Sequence, residues 1–160
     1  MTVERSAGIA NLPTLYFEDL AIGQFASVVS TVSELDIISL ENIEKSEFPD
    51  ENTAFCQSEF YTDRLRFGQH VAHGAFTSNL VTALISTQLP GVGGIYLSQT
   101  FQYLAPVSVG DLVTARVEII ELIEARKRVR LFCECLRDYS PVLEGEAWIA
   151  MMSRPDGHLT

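Results

Sequence analysis

The stretch RFGQHVAHGAFTSNLVTALISTQLPG, residues 66 to 91, puts two histidines and a glycine directly before a long apolar run. That run predicts a helix over residues 74–89, which the Pro and Gly residues of LPGVGG (89–94) would end. Its apolar residues cover most of the circumference, which predicts burial on nearly all sides: they are Phe76, Leu80, Val81, Ala83, Leu84 and Ile85. A helix start exposes unpaired N–H groups and a positive dipole end, so a ligand oxygen could bind at Gly74.

Length, composition and charge restrict the class of protein. The chain has 160 residues, of which 47% are apolar and 20% charged, as in one folded globular domain. A formal net charge of −10 argues against nucleic-acid binding. No apolar stretch is long enough for a membrane span, and no leader pattern is present. Three cysteines without a pairing pattern then make a cytoplasmic location with reduced thiols the expectation.

The segments around the helix predict strands joined by short turns. A β-branched strand is expected over 25–33, and Ser33 with Asp36 forms an N-cap pattern for a second helix. Further strands are expected over four ranges, 95–106, 112–125, 127–138 and 143–152, with YSPV (139–142) as a turn. In the first of them, Tyr96 alternates in phase with Ser98, Thr100 and Gln102. Short connections favour an antiparallel sheet curved around the long central helix, an α+β fold.

These patterns together resemble a known family, the MaoC-like hydratases and dehydratases, which include the (R)-specific enoyl-CoA hydratases and have the hotdog fold. The likeness runs from YFEDLAIGQ (16–24) and TVSELDI (31–37) through RFGQHVAHG (66–74) to QLPGVGGIYLSQTFQYLAPVSVGDLVTARVEI (88–119). It implies an N-terminal arm at 1–14, a single hotdog domain over 15–153 and a tail at 154–160. It also implies a homodimer acting on an acyl-CoA or acyl-carrier-protein thioester, without a cofactor.

The resemblance fails at the family's catalytic motif. A D-x-N-P-x-H stretch there supplies an Asp and a His that activate the water, whereas this chain reads PDENTAFCQ (49–57). Counting back from the FG pair puts Glu51 and Cys56 at the catalytic positions. Matching on Asp50 instead puts Phe55 where the histidine belongs. Either register predicts a divergent site that lacks the usual histidine.

Candidate catalytic residues follow from what remains. By the resemblance, the Gly74 N–H polarises the thioester carbonyl, and Thr82 supplies a hydroxyl further along the helix. Asp50 and Glu51 point to opposite sides of an extended segment, so only one of them can be a base in the pocket; otherwise both are solvated loop charges. His70 could replace the missing acid–base group, or be a surface histidine.

Other candidates have equally ordinary alternatives. His73 binds substrate, caps the helix or is a buried, hydrogen-bonded ring. Cys56 is a nucleophile only with a base in reach, and otherwise an inert thiol. Arg126 and Arg128, in the basic run RKRVR, could bind the phosphates of coenzyme A or phosphopantetheine, or be a solvated hairpin tip. Cys133 and Cys135 lack further ligands nearby, so no metal site is predicted.

Three functions compete at this point. The first is a lyase that adds or removes water at the 2,3 position of an acyl thioester. The second is a biosynthetic hotdog enzyme that catalyses isomerisation, cyclisation or thioester hydrolysis. The third is a non-catalytic module that binds acyl groups or completes an oligomer. A dimer seam is expected along the strand at 112–125.

Overall fold

The computed structural model describes residues 14–36, 71–72 and 74–155. The strands are β1 (Phe25–Thr31), β2 (Val71–Ala72), β3 (Ile95–Tyr103), β4 (Val107–Ser108), β5 (Leu112–Ile123), β6 (Arg128–Arg137) and β7 (Ser140–Ala150). The central helix α1 spans Gly74–Thr87, and short 3-10 turns occupy Phe17–Asp19 and Glu124–Arg126. None of the helices described is long and apolar enough to cross a membrane.

Five strands form one antiparallel sheet in the order β1-β5-β6-β7-β3, and β2 pairs with β4 beside it. Helix α1 packs against this sheet, with most of its contacts on β5. The sheet residues that face the helix alternate along β5 and β6 with residues on the outer face. The fully buried large side chains are Leu84, Ile85, Ile119, Leu131, Leu143, Ile149, Val32, Val81, Val113, Val117, Val129 and Val142. This core joins one face of α1 to the inner face of the sheet, as the α+β prediction requires.

The outer face of the sheet carries charged side chains paired across neighbouring strands. Arg116 on β5 forms ion pairs with Glu118 and with Glu134 on β6. These side chains are about one third exposed or less, so the pairs stabilise the fold modestly. The alternation of apolar and charged residues in β5 and β6 therefore separates a buried face from a solvated one.

Two predictions about the strands are wrong. The strand at 112–125 is not an edge, because β5 lies between β1 and β6; the edges of the sheet are β1 and β3. The turn placed at YSPV lies earlier, at Asp138 and Tyr139, which both have positive φ, and Ser140 already belongs to β7.

A bulge in β3 changes which side chains share a face. The pairing with β7 shifts between Tyr96 and Ser98, so Leu97 is an extra residue on the edge strand. As a result Tyr96 packs against the core together with Phe101, while Ser98 lines a cavity on the outer face. The predicted common phase of Tyr96 and Ser98 is therefore wrong.

The central helix is less buried than its composition predicts. Asn79, Ala83 and Ser86 are exposed, at spacings that place them on one side of α1. The reason is that the sheet covers only the opposite side, where Val81, Leu84 and Ile85 are buried.

The predicted N-cap at Ser33 is confirmed. The Asp36 N–H donates to Ser33 Oγ at 3.3 Å, and Asp36 Oδ2 accepts from the Ser33 N–H at 3.0 Å.

Candidate active site

Gly74 is the first residue of α1, where a helix leaves its N–H groups without intrahelical partners. In the part of the chain that the structure describes, no acceptor is bonded to the Gly74 N–H. The first turn contains no acidic side chain that would neutralise the positive end of the helix dipole. Among the residues described, the backbone therefore presents a donor without an acceptor, in a favourable electrostatic environment for an oxygen that gains negative charge.

The first turn of α1 is anchored by side chains that the sequence analysis did not select. Thr77, only 4% exposed, donates its hydroxyl proton to the Gly74 carbonyl at 2.9 Å. The Thr77 carbonyl lies 3.5 Å from the thiol of Cys135 on β6. Thr and Ser side chains in helices often bond back to the carbonyl three or four residues earlier, so the spacing of Gly74 and Thr77 could have indicated this role. Through Thr77, the start of the helix is held against the sheet.

Tyr103, the last residue of β3, packs directly against Gly74. A Cβ added to Gly74 would lie 2.9, 3.2 and 3.3 Å from the Cε1, Cδ1 and Cζ atoms of the Tyr103 ring. Contacts this short leave no room for a side chain at position 74 unless the ring moves. Nothing in the sequence pairs these two residues, because they are separated by a helix, a loop and a strand.

Thr82 lies two helical turns past Gly74, about 12 Å along α1. Its hydroxyl donates to the Ser78 carbonyl at 2.9 Å, so its oxygen remains free only to accept. The buried Tyr96 hydroxyl lies near Thr82 but forms no hydrogen bond of good geometry with any residue described. Burial raises the pKa of Tyr96, and the Thr82 hydroxyl partly opposes that shift. With its proton on Ser78, the Thr82 oxygen is placed to accept a hydrogen bond from Tyr96 or a ligand.

The structure brings Arg126 and Arg128 together, but away from Gly74. Both line a cavity of about 390 Å³ with Leu97, Ser98, Ile123 and Trp148. Neither arginine forms an ion pair among the residues described, whereas Lys127 between them pairs with Glu18. Ser98 and Tyr103 are five residues apart on β3, about 16 Å at strand rise. Within one chain, the arginines and the helix start lie towards opposite ends of that strand.

The remaining predicted residues lie outside the residues that the structure describes. These are Asp50, Glu51, Cys56, His70 and His73. Their proposed catalytic and binding roles stay predictions, and so does a site that lacks the family's histidine.

The other two cysteines are packed in the core, not at a site. Burial raises the pKa of Cys133 and of Cys135 to about 12, so both thiols stay protonated at neutral pH. Over residues 14–36, 71–72 and 74–155, no group of three or more His, Cys, Asp or Glu side chains could hold a metal ion.

Comparison with known proteins identifies the family. The model of the MaoC like domain matches residues 57–131. A 3-hydroxybutyryl-CoA dehydratase of Methylorubrum extorquens is 36% identical over 148 residues, which cover 92% of this chain and 91% of that protein. An (R)-specific enoyl-CoA hydratase of Rhodospirillum rubrum is also 36% identical, over 87% of this chain and 93% of the relative. The chain belongs to the MaoC-like dehydratase family. It is a hydro-lyase of that family.

Solved structures agree on the fold. The R-hydratase PhaJ1 of Pseudomonas aeruginosa superposes with a TM-score of 0.73 at 29% identity, covering 88% of each chain. The (R)-hydratase of Aeromonas caviae, described as involved in PHA biosynthesis, gives a TM-score of 0.74 at 25% identity, covering 84% of this chain and 98% of that one. The predicted hotdog fold is confirmed.

Proposed function

We propose that this MaoC-like enzyme hydrates the 2,3 double bond of a short enoyl-CoA and, in reverse, dehydrates the (R)-3-hydroxyacyl-CoA. The observation that carries the proposal is the Gly74 N–H at the start of α1, to which no residue described in the structure is hydrogen-bonded. It occurs in a chain that aligns along most of its length with a relative named as a 3-hydroxybutyryl-CoA dehydratase. The identity of the acyl group follows from that name and belongs to the proposal.

The reaction requires two groups besides the amide. In hydration, a base takes a proton from water as its oxygen bonds to C3, and an acid delivers a proton to C2. Negative charge collects on the thioester oxygen as the enolate forms, and the Gly74 N–H stabilises it there. We assign the base to Asp50 or Glu51, with His70 as the second acid–base group and Cys56 as the alternative to His70.

Crotonyl-CoA provides the direct test. The protein should remove the enoyl absorbance, and Asp50→Asn or Glu51→Gln should lower the rate by about 10²–10⁴-fold, the usual contribution of a general base. His70→Ala and Cys56→Ala identify the second group, and Glu124→Gln, on the β5–β6 connection, is the control. Release of free thiol without loss of the double bond would instead identify a thioesterase. The absence of any turnover would refute the proposal.

The role of the Gly74 N–H can be separated from the need for space at that position. Proline is tolerated at the first residue of a helix, because the N–H it lacks makes no intrahelical bond there. Gly74→Ala adds a Cβ and keeps the donor, whereas Gly74→Pro adds a Cβ and removes it. We expect kcat of the Pro variant to fall about 10²–10³-fold below that of the Ala variant. Equal kcat values for the two variants would exclude the amide from catalysis.

We also propose that the enzyme is a homodimer paired through the β3 edges. Strand β3 contains no charged residue, and three large apolar side chains along this edge are exposed: Ile95, Leu97 and Leu104. Such an edge favours pairing with a second copy. Antiparallel pairing about the strand's centre would bring the arginine cavity of one protomer towards the partner's helix start. Arg126 and Arg128 would then bind phosphates of a coenzyme A held across the interface.

The proposed binding of phosphate by Arg126 and Arg128 can be tested with two thioesters of the same acyl group, one with phosphates and one without. Replacing both Arg126 and Arg128 by Ala should raise KM for crotonyl-CoA about tenfold or more, the loss expected from two charge-assisted contacts. KM for the crotonyl thioester of N-acetylcysteamine, which has no phosphate, should not change. An equal effect on both substrates would show that the arginines do not bind phosphate.

A further inference from the structure

The Tyr103 ring lies against Gly74 at the start of α1. Apart from the backbone of the helix itself and the chain neighbours of Gly74, the three described atoms nearest to a Cβ at Gly74 all belong to this ring. Despite this contact, Tyr103 is 55% exposed. One part of the ring therefore lies against the helix start while a large part remains open beside it.

The position of the ring is fixed by the fold, not by its hydroxyl. Tyr103 pairs with Leu143 on β7, and the next residue, Leu104, donates its N–H to the Val142 carbonyl at 2.9 Å. Among the residues described, no side-chain or backbone group is hydrogen-bonded to the Tyr103 hydroxyl. The backbone of β3 and β7 thus delivers the ring to the start of α1, and the hydroxyl does not hold it there.

Given the proposed function, we infer that Tyr103 is a substrate-positioning residue. Its ring forms the wall beside the Gly74 N–H, and its open part contacts the acyl thioester whose oxygen that amide binds. The missing side chain at Gly74 lets the ring approach the backbone, so the ligand can reach the donor only from the remaining directions. A ring next to the donor also excludes water, which strengthens the hydrogen bond to a charged oxygen.

Kinetics of three variants test this role. Tyr103→Ala should raise KM for crotonyl-CoA about tenfold, as expected for loss of a large apolar contact, with a smaller change in kcat. Tyr103→Phe keeps the ring and should behave like the wild type within about twofold. Phe25→Ala removes a similarly exposed ring from the opposite edge strand and is the control. The inference fails if KM of Tyr103→Ala is unchanged, if Phe25→Ala raises KM equally, or if Tyr103→Phe is as impaired as Tyr103→Ala.

A double-mutant cycle tests the contact itself. Gly74→Ala alone should be impaired, because its Cβ displaces the Tyr103 ring. In the Tyr103→Ala background the same substitution should cost at least about fivefold less in kcat/KM, since no ring remains to be displaced. Additive effects in the cycle would contradict the assigned contact.

Two further measurements keep the outcome interpretable. Thermal unfolding and size exclusion compare each variant with the wild type; if Tyr103→Ala does not fold, Tyr103→Leu takes its place with the same expected rise in KM. Binding of the saturated analogue butyryl-CoA is measured by calorimetry in parallel. A wild type that binds butyryl-CoA but does not hydrate crotonyl-CoA would refute the proposed function alone, and weaker binding by Tyr103→Ala would still support the positioning role. Equal binding by wild type and variant would overturn that role.

Discussion

Gly74 meets two separate requirements at one position. Its N–H, which is bonded to no described residue, is a donor at the positive end of α1 that any residue except proline would supply. Its missing side chain makes room for the Tyr103 ring, which only glycine permits without movement. The first requirement could be predicted from the sequence, because an HG pair before an apolar run indicates a helix start. The second could not, because it depends on where β3 ends in three dimensions.

The Tyr96 hydroxyl is buried near Thr82 without a good hydrogen bond to any residue described. Its desolvation is then not compensated within this part of the chain. We therefore expect Tyr96→Phe to leave the free energy of unfolding unchanged or to raise it by up to about 1 kcal/mol. Urea denaturation of the two proteins measures this difference.

Thr77→Val is the matched contrast, since it also removes one buried hydroxyl without changing the shape of the side chain much. Because Thr77 Oγ1 donates to the Gly74 carbonyl at 2.9 Å, we expect its loss to lower the free energy of unfolding by about 1 kcal/mol. A Tyr96→Phe variant destabilised as much as Thr77→Val would show that the Tyr96 hydroxyl has a partner in solution.

At the scale of elements, periodicity predicted the central helix and the five strands of the large sheet, but not the two-residue strands β2 and β4. The charged–apolar alternation of β5 and β6 was sufficient, because each strand has one buried and one solvated face. Periodicity could not predict the bulge at Leu97 or the turn at Asp138 and Tyr139. A bulge leaves no mark in a strand of mixed polar and apolar residues such as β3, and neither turn residue is the glycine or asparagine that usually signals positive φ. The same limit applies to the exposed stripe of α1, whose alanine and serine residues are compatible with either environment.

The packing of β6 against α1 makes a prediction about its thiols. Burial raises the pKa of Cys133 and Cys135 to about 12, so the folded protein holds both as neutral thiols. In a Cys56→Ser variant, no thiol should react with a disulfide reagent at pH 8 under native conditions, and two should react in denaturant. The measurement is the number of protein thiols that react under the two conditions, counted from the thiolate that each one releases from the reagent.

The same shift has a consequence for stability at alkaline pH. Above the unfolded pKa of about 8.5, the unfolded chain loses its thiol protons while the folded chain keeps them up to about pH 12. The folded state then binds more protons, so the free energy of unfolding should fall as pH rises through this window. Replacing Cys133 and Cys135 by Ala should flatten that decline.

Both thiol predictions depend on the burial of Cys133 and Cys135. Rapid labelling of the native Cys56→Ser variant at pH 8, in the experiment above, would contradict that burial.

At the scale of the whole molecule, the described residues of one chain do not gather every predicted binding group around one ligand. Gly74 and Tyr103 lie at one end of β3, and the cavity of Arg126 and Arg128 includes Leu97 near the other. The sequence could not show this separation, because a basic run and a helix start carry no information about distance. A second copy paired antiparallel along β3 would bring opposite ends of the strand together, which relates the arginine proposal to the oligomeric state.

The proposed pairing through β3 can be tested by placing one charge on each of the two edge strands of the sheet. Gln99 is exposed and is the fifth of the nine residues of β3, so antiparallel self-pairing would place the two copies of residue 99 close to each other. Gln99→Lys should therefore put like charges at the centre of the interface and yield monomers. Ser27→Lys, exposed in the middle of the other edge strand β1, should leave the dimer intact. Size exclusion with light scattering gives the mass of each variant.

The same variant tests where the phosphate contacts come from. If the monomeric Gln99→Lys variant shows a raised KM for crotonyl-CoA but not for the N-acetylcysteamine thioester, the partner supplies those contacts. Dissociation by Ser27→Lys with an intact Gln99→Lys dimer would place the interface on β1 and leave the two arginines without a route to the partner's Gly74.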